Sequence, residues 1–182
     1  MVEKIVDGVL TVDYLKSTSE EFDVDSIREI ILRRMGLRDI TCVNQCRNVV
    51  RLVLSDNKIR NLSALDGLTE LTLLNLSSND ITSLDGLNNL EKLTTLNLAG
   101  NSIATIEALS SLSNLKALTN LRLHDDMRGI SNPVCQLNNY QSAVVGYCPN
   151  LRILNGEIIK GDGSTLFSLF REMDKKIDGK LY

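Results

Sequence analysis

Tryptophan is absent from this sequence, and aromatic residues of every kind make up only 4% of its 182 residues. Any core must therefore be aliphatic, and 43% apolar content is enough to bury a continuous one in about one domain. A basic stripe is missing too. The net charge is -3 and the isoelectric point about 5.2, which removes the electrostatic footprint carried by nucleic-acid and anionic-membrane binders. The opening stretch, MVEKIVDGVLTVDYLK, is broken by charges every few positions and holds no apolar run of the kind that a signal peptide or membrane anchor needs. These absences lead to the expectation of a cytoplasmic protein whose four cysteines are reduced thiols rather than a disulfide framework.

What the sequence does contain is a pattern of fixed interval. In LTLLNLSSNDITSLDGLNNLEK, residues 71–92, apolar residues stand at Leu71, Leu74, Leu76, Ile81, Leu84, Leu87 and Leu90. The first half alternates like a strand and the second half steps by three. Stepping by 22 residues reproduces the pattern from Val49, from Leu93 and, backwards, from Ile27, with Asn57, Asn79 and Asn101 at one position and Met35 at the same place in the first unit. A fifth unit starts at Leu118, Leu121 and Leu123 after three extra residues, LKA, with Asp126 where the Asn would stand.

Each unit reads as one coil of a solenoid: a short strand, a turn at the Asn, and a return of about three residues per turn. No coil can bury its aliphatic residues alone, so the coils must stack. The side-chain amide both donates and accepts, so a ladder of Asn57, Asn79 and Asn101 satisfies backbone groups that the turns leave inside. Met35 marks the expected start of this ladder and Asp126 its end.

These repeats resemble the leucine-rich repeat family, in its short class written LxxLxLxxNxIxxLxxLxxLxx, over residues 27–126. NPVCQLNNYQSAVVGYCPNLRILNGE, residues 132–157, is similar to the C-terminal cap of that class, with Asn155 where Asp is usual. LTVDYLKSTSEEFDVDSI, LRLHDDMRGISNPVC and GEIIKGDGSTLFSLFREMD together resemble one subfamily with protist members. The resemblance implies an α/β fold: a right-handed solenoid with parallel strands on its concave face, 3-10 or irregular turns on its convex face, and helical caps at both ends. The chain then divides into an N-terminal cap (1–26), repeats (27–48, 49–70, 71–92, 93–117 and a partial 118–126), an insertion with the C-terminal cap (127–160) and an amphipathic helix (161–182).

Thr11 is the expected N-cap of a first helix over Val12–Ser17 that lays Val12 and Leu15 on the first coil. In the last segment, Leu166, Phe170, Met173 and Ile177 share one helical face behind a cap at Asp162 or Ser164. That helix either packs on the end of the domain or binds a partner.

Residues between the buried strand positions face the concave side. Ile31, Val53 and Leu73 are expected to form an outward apolar patch rimmed by Arg33, Arg34 and Arg51, beside Glu29, as in a protein interface. Asn75 and Asn97 run on from it toward Arg122, His124 and Asp125. The insertion HDDMRGIS, with Asp126, Met127 and Arg128, is expected to border the C-terminal end of this face as a secondary contact site.

Residues suited to covalent or metal chemistry are poorly placed. Cys42 and Cys46 are separated from Cys135 and Cys148 by about four coils, on the order of 20 Å at roughly 4.8 Å per strand, too far for one zinc ion. Cys46 sits at a core position. His124 precedes two aspartates, but no nucleophile stands on a tight glycine turn nearby. KGDGST lacks the spacing of a phosphate loop, and EEFDVD lacks the glycine and terminal glutamate of a calcium loop. No catalytic residue, metal site or cofactor is expected. The expected function is that of a monomeric, non-enzymatic adaptor with a protein partner on its concave face and no direct contact with nucleic acid or membrane. The resemblance implies a ciliary, flagellar or cytoskeletal assembly, or alternatively a regulatory subunit of a phosphatase or another enzyme, or an RNP component holding an RRM-containing partner.

Overall fold

The computed structural model describes Ile5 and residues 7–160, and the helix expected over 161–182 lies outside them. Five parallel strands carry the repeat: β1 (Glu29–Ile31), β2 (Arg51–Val53), β3 (Leu73–Asn75), β4 (Thr95–Asn97) and β5 (Asn120–Arg122). They pair in chain order and in register, so that Ile30, Leu52, Leu74, Leu96 and Leu121 form one row across the sheet. All five are buried, because alternate strand residues point to opposite faces and this row points inward. A constant interval along the chain thus becomes a constant register in space. Strands of three residues, too short to persist alone, are held by their neighbours on both sides.

The steps of three in the second half of each unit are 3-10 turns. Leu65 N donates to Leu62 O at 2.9 Å and Leu68 N to Leu65 O at 2.9 Å, and in the next coil Leu87 and Leu90 repeat the pattern at 3.1 Å each. Three residues per turn brings these leucines to one side, where all of them are buried. The same geometry absorbs the three extra residues of the fourth unit. Its 3-10 run, Glu107–Asn114, is eight residues long where the second unit has three, Ser63–Leu65. Three residues add one whole turn, so Leu109, Leu112, Leu115 and Leu118 all remain buried and β5 still enters in register.

The asparagine ladder is built as expected over its first three rungs. Asn79 Oδ1 accepts from Ile59 N at 3.0 Å, while its Nδ2 donates to Leu54 O and Leu76 O, both at 3.0 Å. Asn57 and Asn101 repeat this arrangement. The expected end at Asp126 is not observed. Asn132 takes the next rung, with Oδ1 accepting from Ile103 N at 3.1 Å and Nδ2 donating to Leu98 O and Leu123 O at 2.8 Å each.

The reason is a hairpin interposed between strand and rung. Two short antiparallel strands, β6 (His124–Asp125) and β7 (Ile130–Ser131), leave and rejoin the coil at one point, where Asn132 N donates to Leu123 O at 3.2 Å. The boundary expected between 126 and 127 therefore falls inside the hairpin, and Asp126 is exposed at its turn.

Both ends are capped. Thr11 Oγ1 accepts from Tyr14 N at 3.2 Å and opens α1 (Val12–Ser19), whose Leu15 is buried and whose Val12 is only partly covered. At the other end α2 (Tyr140–Tyr147) packs over the 3-10 run Glu107–Asn114 of the fourth unit. It leads into β8 (Ile153–Leu154), parallel to β5, and β9 (Glu157–Ile158), antiparallel to β8. The two residues joining β8 to β9 are Asn155 and Gly156, at φ 55° and 92°, the left-handed pair that a tight hairpin of this hand requires.

Candidate functional site

The strand residues that face away from the core form rows in register along the concave side. One row runs Glu29, Arg51, Leu73, Thr95, Asn120, and the next Ile31, Val53, Asn75, Asn97, Arg122. Neighbours within a row are about 4.8 Å apart, so residues 22 apart in sequence become partners. Arg51 Nε lies 3.0 Å from Glu29 Oε1, Arg34 Nε 3.9 Å from Asp56 Oδ2, and Lys92 Nζ 2.7 Å from Glu70 Oε1. Exposed pairs of this kind contribute up to about 1 kcal/mol each. Arg33 makes no ion pair among the described residues.

The expected apolar patch is only partly present. Ile31 is 49% exposed and Leu73 is half-buried, but Val53 is 1% exposed. Val53 stands in register between Ile31 and Asn75, both longer side chains, and forms the floor between them rather than an outward contact.

Asn75 and Asn97 sit side by side. Asn75 Oδ1 accepts from Ser77 N at 3.0 Å and Asn97 Oδ1 from Ala99 N at 3.1 Å. A backbone N–H can only donate, so the oxygens are fixed by these bonds and the amide nitrogens are left over as donors. Farther along, Arg122 Nη1 donates to Asp125 Oδ2 at 2.9 Å. His124 Nδ1 lies 3.1 Å from Asp126 Oδ1, and the backbone N–H groups of Leu123 and His124 donate to Asn155 Oδ1 at 2.7 and 3.2 Å.

The insertion departs most from expectation. Instead of bordering the C-terminal end, it folds back over the face toward earlier coils. Arg128 Nη2 donates to Asp56 Oδ1 at 2.8 Å, and its Nη1 reaches Ser77 Oγ at 3.5 Å. Ile130 seats against Gly100, where a Cβ would come within 3.0 Å of the Ile130 Cβ. Gly100 has φ 72° and suits this turn both for its backbone and for the room it leaves. Asp125 Oδ1 accepts from Arg128 N at 3.3 Å and holds the hairpin turn, while Met127 at its tip is fully exposed.

Between hairpin and strands lies a cleft of about 510 Å³ lined by Arg33, Arg34, Asp56, Asn75, Asn97 and Arg128, among others. Partial burial acts to raise the Asp56 carboxyl, but the hydrogen bond and charge of Arg128, with help from Ser78 and Arg34, outweigh it and hold the group below the usual carboxylate value. For Asp125 desolvation again acts to raise the carboxyl, but Arg128 N, the Arg122 guanidinium and Met127 N together outweigh it and hold the group lowered.

The residues suited to nucleophilic chemistry are not activated. His124, Asp126 and Cys135 share a small cavity of about 260 Å³, yet burial pushes the Cys135 thiol up, opposite to the shift that makes a thiolate nucleophile. Burial pushes Cys42 up to about 12 and Cys46 and Cys148 up to about 11. All four cysteines are unpaired, and no cluster of three metal-ligating side chains occurs among the described residues.

A family model described as "Leucine-rich repeat" matches residues 9–175. The mouse protein named "Leucine-rich repeat-containing protein 61" is 54% identical over 168 residues, and its human counterpart 49% identical over 168 residues. Each alignment covers 92% of this chain, and the chain spans 65% of the length of these two relatives. Among solved structures, a chain in the crystal structure of the Drosophila melanogaster SNF/U2A' complex aligns with a TM-score of 0.64 and 25% identity, covering 79% of this chain and 87% of that one.

Proposed function

The chain belongs to the leucine-rich repeat family, and from that premise we propose that it is a non-enzymatic adaptor gripping a protein partner along its concave face. The supporting observation is the composition of that face. An exposed Ile31 and a half-buried Leu73 adjoin the arginines, while the amide nitrogens of Asn75 and Asn97 stand unused above the strands. Apolar area beside arginine and amide donors is what protein interfaces are made of.

The test compares wild type with an Ile31→Ala/Arg51→Ala/Leu73→Ala variant as baits, followed by affinity measurement on the purified partner. A partner whose affinity falls at least tenfold with the variant supports the adaptor role; equal binding by the two removes it.

The likeness to a chain of the SNF/U2A' complex favours a second reading, a subunit that holds another protein within an RNP. Capture of an RNA-binding protein that survives ribonuclease treatment would support it, whereas co-purification of a phosphatase would point to a regulatory subunit instead. The proposal extends to location: a cytoplasmic protein with its cysteines kept as thiols, recruited to a cytoskeletal or ciliary assembly. Imaging of the tagged chain against a tubulin stain checks this.

A further inference from the structure

We infer that the cleft beneath the hairpin takes an acidic, extended segment of a partner protein and reads its carboxylates. This rests on the concave-face reading above and names the chemistry of the partner. The first argument is an inventory of free hydrogen-bonding capacity. The oxygens of Asn75 and Asn97 are held by Ser77 N and Ala99 N, which fixes each amide and leaves its nitrogen, on neighbouring strands, as a donor. Arg33 has no ion pair among the described residues, and Arg34 is 3.9 Å from Asp56, beyond hydrogen-bonding reach.

The acceptors, by contrast, are already engaged. Asp56 takes the Arg128 guanidinium at 2.8 Å, and Asp125 takes Arg122 at 2.9 Å and Arg128 N at 3.3 Å. Ser77 Oγ faces Arg128 at 3.5 Å. A ligand entering here meets donors seeking lone pairs and no anion seeking a cation.

Charge points the same way. Three guanidinium groups (Arg33, Arg34 and Arg128) line the cleft with two carboxylates (Asp56 and Asp125), a local excess of +1 on a chain whose net charge is -3. Such a reversal of sign attracts a negatively charged segment and repels a basic one. Charge-assisted bonds from arginine and amide to carboxylate are also the stronger class of hydrogen bond. In an extended segment, side chains that share a face recur about every 6.6 Å, which fits acidic residues at alternate positions.

The probe is a fluorescein-labelled decapeptide of alternating Gly and Glu, with a Gly/Gln counterpart, titrated by fluorescence anisotropy against the full chain. Saturable binding of the Glu peptide that weakens with salt, and at least tenfold weaker binding of the Gln peptide, are expected. Asn75→Asp/Asn97→Asp keeps the oxygens that hold Ser77 N and Ala99 N but replaces both donors with anionic oxygen, and should lower affinity at least tenfold. Arg33→Ala, at an exposed position where folding is not at stake, should lower it several-fold. No saturable binding by wild type, equal binding of the two peptides, or unchanged affinity in both variants would overturn the inference. Because the adaptor role is judged separately, through Ile31, Arg51 and Leu73 and a natural partner, either reading can fail without the other.

Discussion

Replacing Asn132 by Ala tests whether this residue, rather than Asp126, is the fourth rung of the ladder. The magnitude follows from which groups lose their last partner. Leu98 O also accepts from Asn101 Nδ2 at 2.8 Å, and Leu123 O also accepts from Asn132 N at 3.2 Å, so neither carbonyl is orphaned. Ile103 N, on a residue that is fully buried, loses its side-chain acceptor. One orphaned buried N–H costs about 1–3 kcal/mol, and the two weakened carbonyl contacts bring the total to roughly 2–4 kcal/mol. For a chain of this size that corresponds to a fall in melting temperature of about 4–16 °C. Asp126→Ala, which removes only an exposed partner of His124, should stay within about 0.5 kcal/mol of wild type. Urea titrations followed by far-ultraviolet circular dichroism measure both. If Asp126→Ala proved as costly as Asn132→Ala, the ladder would have been traced through the wrong residue.

A Cβ on Gly86 would sit 2.3 Å from Leu62 O, and its φ is 100°, so Gly86→Ala should destabilise by about 2–5 kcal/mol; Gly67→Ala, with nothing within 4 Å and no positive φ, should be neutral or slightly stabilising by the same urea titration. The Arg128–Asp56 contact should respond to acid. Because the folded Asp56 carboxyl lies below its ordinary value of 3.8, its contribution is present above that pH and lost as pH falls through the folded value. Hydrogen-exchange protection factors across residues 124–131, corrected for the intrinsic pH dependence of exchange, should therefore hold down to pH 4 and fall only below it, and a loss of protection beginning near pH 6 would contradict this. With burial pushing Cys46 and Cys148 up to about 11, roughly one thiol in a thousand is ionised at pH 8. Both should resist a disulfide reagent in the native protein and react at once in guanidinium; immediate labelling of all four cysteines in the folded chain would count against the buried assignment.

The solenoid was legible in the sequence because every coil buries equivalent positions, so burial writes the same spacing again and again. Even the three extra residues of the fourth unit kept the signal, since a multiple of three preserves the inward face of a 3-10 run. Ion pairs between residues 22 apart, such as Glu29 with Arg51, were available in the spacing itself once coils were known to stack in register. The hairpin was not, because strands of two residues are too short to display a period. Its six additional residues moved the rung from three positions after the last strand leucine, as in Leu98 to Asn101, to nine, Leu123 to Asn132, which hid Asn132 inside the NP of the cap. Val53 departs from the outward position that alternation predicts for another reason. Alternation tells which face a side chain occupies but not how tall its neighbours are. The link from Arg128 to Asp56, 72 residues apart, follows no multiple of the repeat and had no sequence signature.

The point where Leu123 and Asn132 meet across a single backbone hydrogen bond has a practical side. Whatever is spliced there begins and ends in the same place, so its length hardly concerns the coils on either side; each doubling of a flexible insert costs only about 0.6 kcal/mol of closure entropy. An epitope or a small reporter domain with adjacent termini could replace the native segment, leaving the solenoid as a chassis on which cargo is exchanged.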